Sequence, residues 1–283
     1  MFYTYFWPAH PFILPRVVLQ SKVMTNEARS LQAAIEFIGS CYDPSMRQEY
    51  FRDIAEALLL QQTGKASLPR SIFNIQAYLL FCVGIYFCGD IDKAMSTLSV
   101  AERLALKLQL NKENSILELS KGNAFIAECL RRTWWEIYLF SGHLTAPELH
   151  QRFRLYNVDC DTCLPCEDDA YQSGNIPLPM ALAEYDAQTK LNASETKTFS
   201  SYTYRIDGMR LLSRVIAQNR HTETSSRRYD VELENELIDW LLKLPPSKKR
   251  LTREDGTLDE VMVLAHLNIY GYPYTSRVLQ LLN

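Results

Sequence analysis

The stretch from Phe125 to Leu144, FIAECLRRTWWEIYLFSGHL, constrains the fold more than any other part of the chain. Read as a helix at about 100° per residue, it has large apolar side chains on two nearly opposite faces. One face holds Ile126, Leu130, Trp134 and Ile137, and the other holds Trp135 and Leu139. A surface helix keeps one face polar, whereas a helix that is apolar nearly all round is buried. The stretch therefore predicts a central core helix.

Charged residues interrupt this helix at a regular spacing. Glu128 precedes Arg132 by four residues, and Arg132 precedes Glu136 by four. Side chains four residues apart on a helix are neighbours, so opposite charges at this spacing can pair. These charges can therefore pair along one edge of the helix. If Arg131 and Arg132 only pair with Glu128 and Glu136 near the surface, we expect the change of one of these arginines to glutamine to cost about 1 kcal/mol or less.

The run RRTWWEIY, from Arg131 to Tyr138, resembles the signature of the fungal-specific transcription factor domain. This domain is the regulatory "middle homology" region of fungal zinc-cluster transcription factors, and the likeness is to the branch of xylanolytic-activator-like regulators. In that family an acidic segment with Leu-Pro follows downstream, and this sequence has VDCDTCLPCEDD from Val158 to Asp169. The family's Asp shortly after the Tyr and its Gly-Arg-Pro turn are absent here. The resemblance implies family-signature positions at Arg131, Arg132, Trp134, Trp135, Tyr138, Asp159, Asp161, Leu164 and Pro165.

Both ends of the chain add to this resemblance. His10-Pro11-Phe12 resembles the opening of the family's regulatory domain, and Ala265–Tyr270 resembles its Leu-His-Leu-x-Tyr helix. On this basis we expect residues 1–25 to form an extended lead rich in proline and aromatic residues, followed by a helical regulatory domain over 26–283. We also expect the sequence to start with the regulatory region, without a DNA-binding module, and to stop inside the family domain.

Hydrophobic periodicity predicts further helices on both sides of the central one. They span Asn26–Ile38, Gln48–Gln62, Ser71–Cys88, Asp90 or Asp92 to Leu108, Thr198–Asn219, Glu232–Leu244 and Leu258–Tyr270. The apolar run Ala77–Cys88 is too short to cross a bilayer, which indicates a buried helix ended by Gly89. Residues 147–194 contain prolines and many acids without a sustained period, so we expect an irregular acidic connection there. The sequence predicts an all-α fold, a single multi-helix domain of antiparallel helices around the central helix.

The charge balance argues against DNA binding by this chain alone. Lys and Arg number 30 and Asp and Glu number 33, so the net charge is -3. Neutralising DNA phosphates requires clustered Lys and Arg. We therefore expect any contact with DNA to be indirect.

The seven cysteines do not have the spacing of a zinc cluster. A binuclear cluster needs six cysteines in a short basic segment. Cys160, Cys163 and Cys166 are evenly spaced, but acids flank them and a fourth ligand is missing nearby. We expect no metal or other cofactor in this chain, with zinc confined to a DNA-binding cluster outside it. The odd cysteine count and the lack of a secretory signal favour a reducing compartment.

The acids Asp159, Asp161, Glu167, Asp168 and Asp169 suggest an alternative. All-helical enzymes that process diphosphates hold Mg²⁺ with aspartate-rich motifs. Those motifs lie on helices that face a cavity, whereas these acids lie among prolines and a second motif is missing. A solvated acidic loop is the preferred interpretation. The alternative that stays open is an all-α small-molecule-binding or Mg-dependent diphosphate-processing enzyme.

The basic run Lys248-Lys249-Arg250 fits a surface loop better than a nuclear import signal, although both are compatible with it. The five histidines are scattered without a catalytic or metal-binding spacing.

The resemblance thus implies the regulatory domain of a fungal transcription regulator, located in the nucleus and acting in RNA polymerase II transcription control. We expect it to work without catalytic residues, through intramolecular or protein–protein contacts, including self-association. A small-molecule effector is compatible with this role, and a membrane partner is not expected.

Overall fold

The computed structural model describes residues 1–23, 28–63, 71–145, 153–190, 197–221 and 231–270. Within these ranges the regular structure is helical, and the β pairing consists of two isolated bridges. A short π-helix at Phe2–Phe6 precedes α1 (Arg16–Val23), α2 (Arg29–Ser40), α3 (Gln48–Thr63), α4 (Ile72–Phe87), α5 (Ile91–Lys107), α6 (Glu113–Ser120), α7 (Ala124–Thr145), α8 (Asp168–Ser173), α9 (Leu182–Lys190), α10 (Ser201–His221), α11 (Val231–Lys243), α12 (Pro246–Lys249) and α13 (Glu260–Tyr270). The all-α prediction is confirmed.

The chain forms two compact units. The first comprises Met1–Ile137, Cys160–Thr162 and Asp168–Ile176, and the second comprises Tyr138–Asp159, Cys163–Glu167 and Pro177–Asn283. In the first unit α4 packs against α5 and α2, and α2 packs against α3. In the second unit α10 packs against α13 and α11.

The predicted buried helix of the first unit is α4. Ser71 caps its N-terminus by accepting a hydrogen bond from the Phe73 amide at 3.3 Å, and Gly89 follows its end with φ of 84°. A Cβ added at Gly84 would overlap the ring of Phe37, so a glycine lets α4 approach α2 closely. In the part of the chain that the structure describes, none of the helices is long and apolar enough to cross a membrane.

The core of the second unit lies where α10, α11 and α13 meet. Its buried side chains include Tyr204, Leu211, Leu237, Trp240 and Met262. The three helices agree with the predicted ones to within three residues at each end. Apolar periodicity over more than ten residues was enough to find them.

In its described residues, 1–23, the lead departs from the extended chain that was predicted for 1–25. The lead contains the π-helix and α1, and it belongs to the first compact unit from Met1 onward. Pro15 comes just before α1, and its carbonyl accepts the Leu19 amide at 3.0 Å. Proline is well tolerated next to a helix start, so the prolines that suggested an extended chain are compatible with a helix.

The expected irregular connection over residues 147–194 contains two short helices, α8 and α9. Both are too short for periodicity to reveal them, as is α6 before the central helix. The predicted start of the first helix at Asn26 and the predicted divergence of the tail after Tyr270 lie outside the described residues.

Candidate functional site

The signature helix is buried as predicted. It forms α7, Ala124–Thr145, one residue longer at each end than expected. Trp134 is 1% exposed and Trp135 is 2% exposed, so both indole rings are in the interior. These residues belong to the first unit, whereas Tyr138 belongs to the second.

Arg132 lies at the centre of a buried network in the first unit. Its Nε donates to Glu128 Oε1 at 2.8 Å, and its Nη1 donates to Asp168 Oδ1 at 2.6 Å and to the Pro11 carbonyl at 3.0 Å. The guanidinium also lies 4.3 Å from the centre of the Tyr171 ring, a cation–π contact. A buried charge is tolerated when it is paired and hydrogen-bonded, and this guanidinium meets both conditions.

Arg131 is buried as well. Its Nε donates to Glu113 at 3.0 Å, and Glu113 belongs to the first turn of α6. Its Nη1 lies 3.7 Å from Glu128 Oε2. The condition that these arginines pair only near the surface is therefore not met, because Arg131 is 3% and Arg132 0% exposed. The predicted pair between Glu128 and Arg132 does form, inside the unit.

The lead binds this network through three consecutive residues. His10 Nδ1 lies 2.6 Å from Glu136 Oε1, the Pro11 carbonyl accepts from Arg132, and the Phe12 carbonyl accepts from Gln76 Nε2 at 3.2 Å. Gln76 Nε2 also donates to Thr133 Oγ1 of α7 at 2.9 Å. The two sequence motifs that resembled the family, the His-Pro step and the signature helix, are therefore parts of one buried structure.

The downstream acids also have structural roles. In the first unit, Asp161 accepts the Glu113 amide at 2.8 Å at the start of α6, and Asp168 pairs with Arg132. In the second unit, Glu167 lies 2.6 Å from Lys248 Nζ. Asp159 is exposed. The prediction of a solvated acidic loop therefore fails for Asp168, which is buried because it neutralises an interior arginine.

The remaining signature positions, Leu164 and Pro165, are buried in the second unit. Leu164 forms an antiparallel bridge with Met180, and the Pro165 carbonyl accepts the Ser200 hydroxyl at 2.7 Å. The backbone of this segment is thus hydrogen-bonded to Ser200, the residue just before α10.

Lys248 does not lie in a surface loop. It is 8% exposed, and its ammonium also donates to Ser201 and lies 3.6 Å from Asp259. The surface-loop prediction is wrong at this residue, because the ammonium compensates two nearby carboxylates of the second unit.

The evenly spaced cysteines have different surroundings. Cys160 accepts a hydrogen bond from Trp134 Nε1 at 3.1 Å, Cys163 is buried, and Cys166 is partly exposed. Among the described residues, no three His, Cys, Asp or Glu side chains are grouped so that they could hold a metal ion. The residues present therefore do not fit a zinc cluster.

The second unit contains a cavity of about 780 Å³, which we call the α10 cavity. Its wall includes three aromatic, four acidic and four basic side chains: Tyr138, Tyr156, Trp240, Asp186, Asp207, Glu236, Asp239, Lys190, Arg210, Arg214 and Lys243. Ligand cavities commonly have volumes of about 300–1,000 Å³ and a few polar groups that fix orientation. The α10 cavity has this size and this kind of wall.

Hydrogen bonds fix the polar groups of the α10 cavity. Arg210 makes a two-pronged contact with Asp186 at 2.8 and 2.9 Å. Asp207 Oδ2 accepts from the Tyr185 hydroxyl at 2.8 Å and from Trp240 Nε1 at 3.1 Å. Burial raises the pKa of the Asp207 carboxyl above its ordinary value, although these hydrogen bonds oppose the shift. The cavity thus offers a partly buried carboxyl that is hydrogen-bonded to two aromatic side chains.

Sequence reasoning missed the α10 cavity. Its wall comes from segments far apart in the chain, so their convergence cannot be read from spacing. One signal was available, because Asp207, Arg210 and Arg214 follow each other at helical intervals of three and four.

The first unit has a cavity of about 900 Å³ next to the lead, α1 and α2. Its wall has fewer charged side chains, with Arg16 and Glu36 beside apolar ones such as Leu19 and Ile35. Specific recognition depends on precisely placed polar groups, so we favour the α10 cavity as the candidate ligand site.

Comparison with known proteins agrees with the motif resemblance. Residues 23–241 match the family model described as fungal specific transcription factor domain. The chain is 30% identical over 267 residues, 93% of its length, to a protein of Pestalotiopsis fici described as C6 finger domain transcription factor iacK. The chain spans 38% of the length of that relative. No solved structure matches the present chain.

Proposed function

Because the chain belongs to the fungal-specific transcription factor domain family, we propose that it regulates RNA polymerase II transcription as the regulatory part of a transcription regulator. The match over residues 23–241 carries this proposal, since it includes both the signature helix and the acidic segment. A nuclear location follows from the same role.

The proposed mechanism is contact with other protein segments, within the same molecule or between molecules. The signature arginines and acids are used inside the first unit, where Arg132 joins Glu128, Asp168 and the lead. Side chains engaged in such buried ion pairs and hydrogen bonds stabilise the fold, which favours a structural role over a catalytic one. We therefore propose a scaffold with no catalytic residues, whose output depends on its folded surface.

DNA contact is proposed to be indirect. The net charge of -3 disfavours binding to a phosphate backbone, and the cysteines of this chain do not fit a zinc cluster. The relative from Pestalotiopsis fici is named for a C6 finger. We propose that zinc and DNA are bound by a module of that kind and not by the residues described above.

A small-molecule effector is the second part of the proposal, and the α10 cavity supports it. The wall carries equal numbers of acidic and basic side chains, of which Arg210 with Asp186 and Arg214 with Glu236 form ion pairs. A strongly charged ligand would have to compete with these pairs. We propose that the cavity takes a small polar aromatic molecule, uncharged overall, that stacks on Tyr138 or Trp240.

The alternative of a Mg-dependent enzyme is less well supported. The acids that suggested it have other partners, since Asp161 caps α6, Asp168 pairs with Arg132 and Glu167 pairs with Lys248. An aspartate-rich motif needs carboxylates that converge on one ion, whereas these three carboxylates have three different partners.

The proposed function is tested with a reporter assay. The chain is placed between an unrelated DNA-binding domain and an activation domain, and reporter output is compared with that of the same fusion carrying an unrelated helical domain of similar size. We expect the chain to change the output several-fold, because regulatory contacts act on the neighbouring domains. The purified chain should also show no salt-dependent retention by duplex DNA.

Two results would contradict the proposal. One is a reporter output equal to that of the control fusion at equal protein level. The other is tight retention of the isolated chain on DNA at low salt that is lost steeply as salt rises, since that behaviour requires direct phosphate contacts.

A further inference from the structure

Two thiols far apart in the sequence meet at one surface of the first unit. Cys41 directly follows the last residue of α2, and Cys88 directly follows the last residue of α4. Both are exposed. Since α2 and α4 pack against each other, their ends bring the two cysteines together.

One amide group joins the two sulfur atoms. Gln48, the first residue of α3, donates from Nε2 to Cys41 Sγ at 3.1 Å and to Cys88 Sγ at 3.2 Å. Because both sulfurs contact the same nitrogen, they cannot be further apart than twice a hydrogen-bond length. Rotation of exposed side chains at two helix ends can close such a gap, provided that the Gln48 side chain moves away.

The other cysteines have less favourable surroundings for oxidation. Cys82, Cys129 and Cys163 are buried, burial raises the pKa of Cys82 to about 12, and Cys166 is only partly exposed. Cys160 accepts a hydrogen bond from Trp134. Cysteine oxidation follows thiolate character and exposure, and a neighbouring thiol can convert the oxidised cysteine to a disulfide. Cys41 and Cys88 combine exposure with a neighbouring thiol.

We propose that Cys41 and Cys88 form a peroxide-sensitive dithiol that closes reversibly to a disulfide linking the end of α2 to the end of α4. This modification site is independent of the function proposed above. Its co-reactant is hydrogen peroxide or an organic hydroperoxide.

The chemistry balances as follows. The thiolate of one cysteine attacks a peroxide oxygen, the O–O bond breaks, and the products are a sulfenic acid and an alcohol, or water from hydrogen peroxide. The thiolate of the other cysteine then attacks the sulfenic sulfur, the S–S bond forms and the S–O bond breaks. The departing hydroxide takes up the proton that the attacking thiol released on ionisation, and the product is water. Two thiols lose two electrons and two protons, and the peroxide is reduced.

The electrostatic surroundings predict a slow, dose-dependent reaction. Partial burial raises the pKa of both thiols, and Cys88 raises that of Cys41 further, as Glu49 and Asp90 do for Cys88. The Gln48 amide at Cys41 and the Arg52 guanidinium at Cys88 oppose these shifts without reversing them. The thiolate is the reactive form, and only a small fraction of each thiol is in this form at neutral pH, so the reaction is slow.

The test treats the purified, reduced chain with a series of hydrogen peroxide concentrations, blocks residual thiols by alkylation, and maps peptides without reduction. Trypsin leaves Cys82 and Cys88 in one peptide, so a chymotryptic digest that cuts after Tyr86 or Phe87 separates them. We expect a Cys41–Cys88 peptide as the main linked product, the loss of two thiols per chain, and full recovery with dithiothreitol.

Matched variants make the result specific. Cys41→Ser and Cys88→Ser should each abolish the linked peptide and leave a sulfenic acid at the remaining cysteine, which dimedone labels. Cys160→Ser should oxidise like the parent. Gln48→Ala, which removes the bridging amide of a half-buried side chain, should leave the link intact.

The proposal is overturned if the folded chain loses Cys41 and Cys88 thiols only to sulfinic or sulfonic acid without a link. It is also overturned if the main disulfide joins other cysteines or two chains. Circular dichroism before and after oxidation shows whether the parent is still folded, so that linkage in unfolded protein is not counted as support.

Discussion

Replacing Arg132 with glutamine tests whether the signature arginine is an interior ion or a surface one. Its side chain is 0% exposed, and it contacts Glu128, Asp168 and the Pro11 carbonyl. Glutamine keeps part of the length and polarity but removes the charge. Two carboxylates would then be left in the interior without their main counter-ion.

The magnitude follows from burial. Breaking a buried ion pair by removing one partner costs about 3–5 kcal/mol, because the other charge stays desolvated. An exposed pair contributes about 0–1 kcal/mol. Since a domain is stable by about 5–15 kcal/mol, Arg132→Gln should remove a large part of the free energy of unfolding of the first unit. Loss of the Tyr171 cation–π contact adds to the cost.

Urea denaturation followed by circular dichroism measures this difference. Arg52→Gln is the matched control, because the Arg52–Asp53 pair lies in the same unit with side chains 35% and 67% exposed. Its free energy of unfolding should stay within about 1 kcal/mol of the parent. The double variant Arg132→Gln with Asp168→Asn should cost less than the sum of the single variants, because the neutral Asn no longer needs a cation.

The reasoning is refuted if Arg132→Gln unfolds within about 1 kcal/mol of the parent. It is also refuted if Arg132→Gln and Asp168→Asn are strictly additive, since the two groups would then not share a desolvated interaction.

Two further predictions concern aromatic burial and pH. Trp134→Ala and Trp135→Ala should each lower the free energy of unfolding, measured by urea denaturation, by about 3–5 kcal/mol. Phe87→Ala is the control, because this side chain is 67% exposed and its loss should change the free energy of unfolding little. Equal effects at the buried and exposed sites would contradict the core role of α7. Burial lowers the pKa of His266 below its ordinary 6.5, so the folded state favours the neutral ring. The stability that this preference gives above pH 6.5 should therefore be lost as the pH falls from 6.5 towards the folded-state pKa. Melting temperatures measured across this range should fall more steeply for the parent than for His266→Gln, and parallel curves would count against the assignment.

Local sequence signals were sufficient for the long helices. Periodicity located α4, α5 and α7 to within one or two residues, since apolar side chains on a helix must share a face to be buried together. Capping was equally readable, as Asp90 accepts the Lys93 amide at 3.1 Å at the start of α5. Short helices such as α8 and α9 gave no readable period.

Spacing along the helix correctly paired Glu128 with Arg132, but it could not show whether that pair meets water. Burial depends on what covers the helix, and the cover comes from Pro11 and Asp168, which are distant in sequence. Sequence identified residues that can be charged, whereas the tertiary structure decided which charges lose their hydration.

The sequence by itself therefore determined the all-α class, the long helices and the family, because all three depend on local residue patterns. Only the tertiary structure decided that Asp168 of the acidic segment pairs with Arg132 in the interior, that the α10 cavity forms around Asp207, and that Cys41 lies next to Cys88. Each of these depends on contacts between distant parts of the chain, and such contacts are set by how the helices pack.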